Sequence, residues 1–364
     1  MPAAPCAARA DKEPVHLPAR AADHYPVQQG RSGRDVQTDI AGDGGASHDV
    51  SDTVIPAGIF LIKDISRAFG IMIGKKTREK VEKLPSGMPE KIPAPSIARF
   101  RKTILSYYAE NGRDLPWRHT TDPYRILVSE IMLQQTQVDR VVKKYPEFMQ
   151  SFPTCHDLAR APLAEVLAVW RGMGYNRRAI ALRESARKIV RDHAGLVPEG
   201  IEELEQLPGI GAATARSIAV FAFNRPVVFI ETNIRRVFIH YFFEGKTGVR
   251  DQDLLPLVKE ALDHQNPRVW YSALMDYGTM LKTKVENPNR RSAHYSRQTA
   301  FSGSDRQIRG TLLARLIRTP DLDEDTLITE IAREEPDRVR RIIDRLISER
   351  FLERAGSRIR IRNS

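Results

Sequence analysis

The sequence predicts an all-α fold, and two observations support that prediction. From Pro95 onward, apolar residues recur at helical spacing in one segment after another, and prolines and glycines separate the segments. Runs with the two-residue alternation of a strand are nearly absent until the C-terminal end. The 364 residues suffice for one large domain with appendages or for two domains.

The helices are predicted in order along a domain that covers residues 91–300. Ser96 is the predicted N-cap of the first helix, Ile97 to Glu110, whose apolar face includes Phe100 and Ile104. The next helices are predicted at Arg125–Gln135, Thr136–Phe152, Leu163–Arg171, Arg177–His193, Ile201–Gln206, Ala212–Phe223, Thr232–Phe242 and Asp251–His264.

The two ends of the chain are predicted to differ from this domain. Residues 1–90 form a predicted N-terminal extension, disordered to about residue 53, because its composition cannot bury enough apolar surface. Residues 301–364 contain three predicted helices and a hairpin, which resemble a winged-helix domain. The helices and the turn lie at Gln307–Leu316, Leu327–Arg333, Asp337–Arg350 and Ala355-Gly356. Arg358, Arg360 and Arg362 then either contact phosphates or form a solvated basic edge strand.

Composition limits the class of partner and the compartment. The 57 basic residues exceed the 46 acidic residues and give a formal net charge of +11, which suits a polyanion. Charge alone does not distinguish nucleic acid from an acidic membrane surface. No apolar run approaches a bilayer span, and no apolar core follows a basic start, so membrane spanning and secretion are not predicted. We expect a cytoplasmic, nucleoid-associated protein in a prokaryote and a nuclear protein in a eukaryote.

The cysteine count argues against a structural metal centre. Cys6 and Cys155 are the two cysteines of the sequence, and they lie far apart. Structural zinc or an iron–sulfur cluster needs about four closely spaced ligands. No metal site built from side chains is therefore predicted.

The most informative stretch is Leu207-Pro208-Gly209-Ile210-Gly211, at the start of a predicted helix. Its glycines allow backbone amides to approach a phosphate closely, and the helix N-terminus adds a positive dipole end. Leu207, Gly209 and Gly211 are therefore candidate DNA-binding residues. In isolation the same pattern also fits a plain helix–helix junction.

Further motifs precede this hairpin, and the ordered set resembles a known family. They are Leu115-Pro116-Trp117-Arg118, Asp122-Pro123-Tyr124-Arg125, the run from Ser129 to Val138, and Gly172-Met173-Gly174-Tyr175. The set resembles the helix-hairpin-helix (HhH-GPD) DNA glycosylase superfamily, specifically its adenine-removing, MutY-type branch. The resemblance covers about residues 95–290, and the run from Glu130 to Val138 is its most specific part. It implies a helical glycosylase fold of two subdomains.

The resemblance also bears on cofactors. Many relatives carry a four-cysteine iron–sulfur cluster after the last helix of the catalytic domain, where this chain has Met280–Lys284 and Asn287–Arg291. The chain thus resembles a cluster-free member, and no cofactor is expected. The resemblance further implies a structural monovalent cation on backbone carbonyls near Leu207 and Ile210.

Base removal calls for two carboxyl groups, one protonated and aimed at the base, the other ionised beneath the sugar. Glu130 lies on a largely apolar helix start, where burial raises the pKa of a carboxyl group, and it matches the general acid of the family. Without the surrounding motif, a surface carboxylate at a helix end is the alternative. Glu231 opens a helix after an apolar run and is the expected buried anion. Asn233 matches the asparagine of the family, and it either bonds Glu231 and water or simply caps the helix.

Two positions depart from the family pattern. The family has aspartate where this chain has Glu231, and the extra methylene moves the carboxylate by about an ångström, a change that costs around a hundredfold in rate unless the backbone compensates. Bifunctional relatives have a Schiff-base lysine where this chain has Ala213. Base hydrolysis without strand cleavage is therefore expected.

A glycosylase must also extrude its target nucleotide and fill the space left in the duplex. The resemblance assigns this role to Gln134 or Gln135 and to Tyr175, although Tyr175 also fits a plain core aromatic. Phosphate charge is expected from Arg235 and its neighbours, namely Arg177, Arg178 and Arg236, unless they form a solvated helix face.

Three functions follow from these observations. The first is a monomeric, monofunctional glycosylase that removes adenine mispaired with 8-oxoguanine or guanine in double-stranded DNA. The second keeps the fold but excises thymine or uracil opposite guanine, where protonation by Glu130 matters less. The third is a lesion-binding protein without catalysis, which the departures at Glu231 and Ala213 suggest. The tail is too short and too helical to be the domain with which adenine glycosylases recognise 8-oxoguanine.

Overall fold

The structure is a computed structural model that describes residues 94–296, 301–332 and 334–362. Its helices are α1 (Ala94–Asn111), α2 (Pro123–Leu133), α3 (Val138–Ser151), α4 (Cys155–Arg160), α5 (Leu163–Trp170), α6 (Arg177–Asp192), α7 (Ile201–Glu205), α8 (Ala212–Phe223), α9 (Thr232–Phe242), α10 (Asp251–Glu260), α11 (Pro267–Lys284), α12 (Asp305–Arg318), α13 (Glu324–Ala332) and α14 (Pro336–Ser348). Short 3₁₀ turns lie at Pro116–Arg118 and Pro288–Arg291. The strands are β1 (Leu322–Asp323), β2 (Leu352–Ala355) and β3 (Arg358–Ile361). The predicted N-terminal extension, residues 1–90, lies outside the described residues.

Two hydrophobic cores divide the helical domain into two subdomains. Helices α2 to α8 form the first, around the fully buried Leu127, Phe148 and Trp170. Helix α1 joins α9, α10 and α11 in the second, where Phe100 and Trp270 meet edge to face. The chain leaves the second subdomain after α1 and returns to it at α9. The predicted two-subdomain helical fold is confirmed, and residues of both subdomains line the cavity between them.

Helix α11 is missing from the predicted elements, and its sequence explains why. Trp270, Tyr271, Leu274 and Tyr277 are all buried, so the helix lacks the wide polar face that makes amphipathic periodicity visible. Gly278 lies where a Cβ atom would come within 2.6 Å of the Asn233 carbonyl oxygen. This glycine allows α11 to approach the first turn of α9, which carries part of the site.

Several predicted helix boundaries are wrong for identifiable local reasons. Helix α1 begins at Ala94, so Ser96 lies inside the helix and is not its N-cap. Helix α10 ends at Glu260, and the Asp263 carboxylate then accepts the backbone N–H groups of Gln265 and Asn266 to form a turn. The unpredicted short helix α4 starts with a capping box between Thr154 and Asp157.

The C-terminal elements run in the order α12-β1-α13-α14-β2-β3, in which the three helices and the hairpin were predicted. The antiparallel sheet has the strand order β1-β3-β2, and β1 escaped prediction because it has only two residues. Leu312, Leu316 and Phe351 belong to the same continuous core as the first subdomain. In the part of the chain described by the structure, no helix has the length and apolarity to cross a membrane.

Two of the three predicted wing arginines, Arg358 and Arg360, are engaged with acidic groups. Arg358 pairs with Asp321 at 3.4 Å, and Arg360 pairs with Glu353 at 2.6 Å. Ile359 and Ile361 alternate with them on the buried side of β3. These pairs favour the interpretation of β3 as a solvated edge strand over that of a phosphate-binding face.

Candidate active site

The hairpin between α7 and α8 presents backbone to solvent while its apolar side chains hold it in place. Leu207 and Ile210 are buried in the core of the first subdomain. Gly209 has a φ of +78°, and a Cβ atom there would lie 2.7 Å from the side chain of Ala181. Gly211 is the exposed N-cap residue of α8. The first N–H groups of this helix have no partner within the helix, so they can face an anion.

A cavity of about 1850 Å³ opens between the two subdomains, and Glu130 lies in its wall. Glu130 lies in the last turn of α2, and most of the remaining side chains of this helix are buried. The hydroxyl group of Ser217, on α8, donates a hydrogen bond of 2.6 Å to Glu130 Oε2. Burial raises the pKa of Glu130 to about 7; the bond from Ser217 opposes the rise, and the negative charge of Glu231 adds to it. Glu130 therefore exchanges a proton near neutral pH.

Glu231 lies in the same cavity wall and is the N-cap residue of α9. Its Oε1 atom accepts the backbone N–H groups of Asn233 at 2.6 Å and of Ile234 at 2.9 Å. The side-chain amide of Asn233 donates to Glu231 Oε2 at 3.3 Å. The structure thus places the predicted carboxylate at the start of a helix, as the sequence suggested, and fixes both of its oxygens with donors.

The two carboxyl groups differ in their surroundings, and the difference assigns the proton. Burial raises the pKa of Glu231, but the N–H groups of Ile234 and Asn233 and the charge of Arg236 oppose this rise. Among the described residues, Glu130 receives one side-chain hydrogen bond, from the Ser217 hydroxyl, and the charge of Glu231 disfavours the ionised form of Glu130. If one of the two carboxyl groups is ionised and the other protonated, the negative charge is therefore better stabilised on Glu231 and the proton on Glu130.

Arg236 holds the side chain of Asn233 through a hydrogen bond to its amide oxygen. Its guanidinium donates to Asn233 Oδ1 and to the Gly278 carbonyl oxygen, both at 2.6 Å, and to Asn287 Oδ1 at 3.1 Å. Since Arg236 is buried, the predicted contact between this residue and phosphate is wrong. The residue instead fixes the orientation of the Asn233 amide towards Glu231.

The residues predicted to enter the duplex fall into two groups. Gln134 is half-buried, and its amide donates to the Gly209 carbonyl oxygen at 3.1 Å and to Thr214 Oγ1 at 3.2 Å. Gln135 and Tyr175 are exposed and have φ values of 52° and 47°, in the left-handed region that few non-glycine residues adopt. Such backbone strain is typical of functional loops. Gln135 is the more exposed of the two glutamines, and contact of Gln134, Gln135 and Tyr175 with DNA stays a prediction.

Arg178 fastens the Tyr175 loop to the end of α2. It donates at 2.9 Å to the carbonyl oxygens of Ile131 and Met132, and at 3.2 Å to that of Gly174. Its guanidinium lies 5.5 Å from the centre of the Tyr175 ring. Arg178 is buried, so its predicted role as a phosphate contact is also wrong.

The other two predicted arginines form ion pairs. Arg235 holds Asp251 through two bonds of 2.6 and 2.7 Å, and Arg177 pairs with Glu349 at 2.5 Å. Both remain in the neighbourhood of the site, since Arg235 lines the cavity and Arg177 follows the Tyr175 loop. A contact between Arg235 and phosphate stays a prediction.

The residues present do not fit an iron–sulfur cluster. Of the two cysteines in the sequence, Cys155 is buried, and its Sγ atom faces the Ala186 carbonyl oxygen. In the described ranges, no group of three or more His, Cys, Asp or Glu side chains could hold a metal ion. The segment that follows α11 is anchored by polar bonds instead, for example from Arg291 to the carbonyl oxygen of Ile239. The monovalent cation expected near Leu207 and Ile210 stays a prediction.

Ala213 and Ser217 complete the wall of the cavity beside Glu130. Ala213 is the position where a lysine nucleophile was expected to be absent. Ser217 was not identified from the sequence, although a signal existed. It is a lone hydroxyl among the apolar residues on the buried face of α8, and a buried hydroxyl requires a partner.

Comparisons with known proteins show which family the sequence is similar to. The sequence profile of the HhH-GPD superfamily base excision DNA repair proteins matches residues 128–254. The adenine DNA glycosylase of Mycobacterium tuberculosis H37Rv is 39% identical over 256 residues, and the match covers 62% of this chain and 82% of that protein. The human adenine DNA glycosylase is 37% identical over 199 residues, and the match covers 51% of this chain and 36% of that protein.

Among solved structures, a thermostable thymine-DNA glycosylase superposes with a TM-score of 0.47 and 27% identity, over 53% of this chain and 91% of that one. The family follows from the mycobacterial relative, because that protein is matched over most of its length. The resemblance inferred from the motifs is confirmed: the chain belongs to the adenine DNA glycosylases of the HhH-GPD superfamily of base excision DNA repair proteins.

Proposed function

We propose that this protein is a monofunctional DNA glycosylase that hydrolyses the N-glycosidic bond of adenine paired with 8-oxoguanine or guanine. One observation carries the proposal: Glu130 and Glu231 line the same cavity but differ in their surroundings. The pKa of Glu130 is raised to about 7, whereas Glu231 accepts backbone N–H groups that stabilise its carboxylate. Names of relatives, including the mycobacterial adenine DNA glycosylase, support adenine as the base.

The proposed reaction uses each group once. Glu130 donates its proton to a purine nitrogen while the bond between the base and C1′ breaks, and the bonding electrons leave with the adenine. The Glu231 carboxylate stabilises the sugar cation that forms. Water then adds to C1′ and releases a proton, which leaves adenine and an abasic deoxyribose as products. Asn233, held by Arg236, orients Glu231 or the attacking water.

Ala213 gives the proposal its monofunctional character. A Schiff base with the sugar requires an amine. Ala213, which lines the cavity next to the hairpin, has only a methyl group. The strand should therefore stay intact until alkali cleaves the abasic site.

A panel of four duplexes tests the substrate. Single-turnover assays would use adenine opposite 8-oxoguanine, adenine opposite guanine, thymine opposite guanine and uracil opposite guanine, each followed by alkali. Alkali-labile sites confined to the adenine strands would support the proposal. Release of pyrimidines would favour the thymine or uracil alternative, and tight binding without any product would favour the lesion-binding alternative.

The pH dependence of the reaction follows from the direction of the Glu130 pKa shift. Since Glu130 works in its protonated form, we expect the single-turnover rate to fall about tenfold per pH unit above pH about 7. Below that pH the rate reaches a plateau, and it falls again only where Glu231, whose pKa is also raised, takes up a proton. The measurement is the rate from about pH 5 to about pH 9 at constant ionic strength. A rate that instead rises through neutral pH would identify Glu130 as a base and contradict the assignment.

Double-stranded DNA is the proposed partner, and we propose that the C-terminal elements extend the surface that contacts it. Arg306, at the start of α12, approaches the hydroxyl of Tyr175 within 3.3 Å, and Glu349 receives Arg177. These contacts continue the surface around the Tyr175 loop onto α14. The exposed face of α14 carries Arg341, which forms no ion pair with the described residues, and Arg345, which pairs with Glu349 at 3.2 Å. A duplex that meets Tyr175 would find phosphate-binding charge there.

We expect the double substitution of Arg341→Glu and Arg345→Glu to weaken binding to a duplex of about 30 base pairs by roughly tenfold or more, and to reduce the salt dependence by about one counterion per residue. Binding to a duplex of about 14 base pairs centred on the mismatch should change little. Fluorescence anisotropy at several salt concentrations measures both. The double substitution of Arg358→Glu and Arg360→Glu is the matched control, because both residues lie on β3, which we interpret as a solvated edge strand. Equal losses on the two duplex lengths would rule out contact with flanking DNA.

A further inference from the structure

Ser217 makes the one side-chain hydrogen bond that the structure shows to Glu130 among the described residues. Its side chain is buried on α8, and its Oγ atom lies 2.6 Å from Glu130 Oε2. The same Oγ atom lies 2.9 Å from the carbonyl oxygen of Thr214, one turn earlier in the helix. A second hydroxyl, that of Ser129, lies next to Glu130 in the sequence but bonds only the Ile126 carbonyl oxygen, at 2.8 Å.

A hydroxyl group has one hydrogen and two acceptor sites, so Ser217 cannot donate to both neighbours at once. When Glu130 is ionised, the hydroxyl hydrogen is better placed on the carboxylate, because hydrogen bonds to charged acceptors are stronger. When Glu130 is protonated, a weaker bond to its carbonyl-like oxygen competes with the bond to Thr214. The bond from Ser217 to Glu130 therefore strengthens as Glu130 loses its proton.

We propose that Ser217 is a positioning residue for the general acid. By donating to Oε2 it leaves Oε1 as the oxygen that carries the acidic proton, and it stabilises the carboxylate that forms when the proton moves to the base. Bonds that strengthen in the transition state raise the rate of the chemical step. The inference rests on the proposed function, because it assigns a role in the same proton transfer.

The proposal fixes the sign of the effect. Removing the hydroxyl removes a group that favours the ionised form, so Ser217→Ala should raise the pKa of Glu130 and make it a weaker acid. We expect the alkaline limb of the pH–rate profile to move up by about one pH unit and the rate on the low-pH plateau to fall by about tenfold. Ser217→Thr keeps a hydroxyl and should behave like the wild type. Loss of packing alone would lower the rate at every pH without moving the limb.

The experiment compares single-turnover pH–rate profiles of the wild type and of Ser217→Ala, Ser217→Thr and Ser129→Ala on adenine opposite 8-oxoguanine. Ser129→Ala removes a buried hydroxyl from α2, the helix that carries Glu130, and should not move the alkaline limb. A limb that stays in place in Ser217→Ala, or moves equally in Ser129→Ala, would overturn the proposal.

A second measurement is independent of activity. Carbon-13 NMR of glutamate labelled at the carboxyl carbon, with Glu130→Gln to assign the signal, reports the pKa of Glu130 in the free protein. It should be higher in Ser217→Ala than in the wild type, and an unchanged value would overturn the proposal. If the wild type releases no adenine while this shift is observed, the proposed function fails but the link between Ser217 and Glu130 stands.

Discussion

Replacing Glu130 with glutamine is expected to lower the single-turnover rate of adenine release by about 10²- to 10⁴-fold. The substitution removes the carboxyl group of the cavity wall whose pKa lies near neutral pH, the group that we propose protonates the leaving base. Glutamine keeps the shape of the side chain, and its amide oxygen can still accept the bond from Ser217. The loss should therefore appear in the chemical step and not in the fold.

Two controls separate chemistry from folding and binding in this variant. Thermal unfolding of Glu130→Gln at about pH 8 should be no easier than that of the wild type, because a group whose pKa is raised in the folded state destabilises the fold when ionised. Affinity for the mismatched duplex should also persist. A rate within about threefold of the wild type would remove Glu130 from the mechanism, and would favour a leaving group that needs no protonation.

Replacing Glu231 with glutamine is the second change with a large expected effect. We expect the rate of adenine release to fall by about 10²- to 10³-fold, because a neutral amide cannot stabilise the sugar cation as a carboxylate does. The amide oxygen can still accept the N–H groups of Asn233 and Ile234, so the start of α9 should remain intact. The quantity to measure is the single-turnover rate at saturating protein.

This variant also has a distinctive effect on pH dependence. The charge of Glu231 raises the pKa of Glu130, so its removal should move the alkaline limb to lower pH. The shift is opposite in sign to that expected for Ser217→Ala. If the alkaline limb of Glu231→Gln lies at the same pH as that of the wild type, the two carboxyl groups do not interact. That result would contradict the proposal that they act together in one cavity.

The sequence predicted those parts of the molecule that depend on local pattern. Helices α8 and α9 begin and end at the predicted residues, because the glycine hairpin and Glu231 mark their starts. Glu231 could be predicted as a buried N-cap anion from its position after an apolar run. Gly172, Gly174 and Tyr175, which have positive φ values, likewise lie in the junction between two predicted helices.

What the sequence could not predict depends on contacts between distant segments. Ser217 and Glu130 are 87 positions apart, and only the packing of α8 against α2 brings them together. The arginines in the sequence indicate positive charge but not which way each side chain points. Arg178 and Arg236 were therefore predicted to contact phosphates, although they are buried among carbonyl and amide oxygens. Helix α11 escaped detection because it is buried on most sides.

The role of the C-terminal elements illustrates the same limit. Their order was predictable from three helical segments and a hairpin, but the pairing of wing arginines with Asp321 and Glu353 was not. Burial of Leu312 and Phe351 in the core of the first subdomain also depends on tertiary packing. This packing brings α12 beside the Tyr175 loop, and it is the reason for assigning flanking DNA to α14.

The central claim is that the protein hydrolyses the bond between adenine and deoxyribose with water as the nucleophile. The most direct measurement is one turnover on a duplex with adenine opposite 8-oxoguanine in the presence of borohydride, which traps a Schiff base, with mass spectrometry of the base, the strand and the protein. The account predicts free adenine, an intact abasic strand and no covalent adduct between protein and DNA. Release of no adenine, or a strand cleaved without alkali, would contradict it.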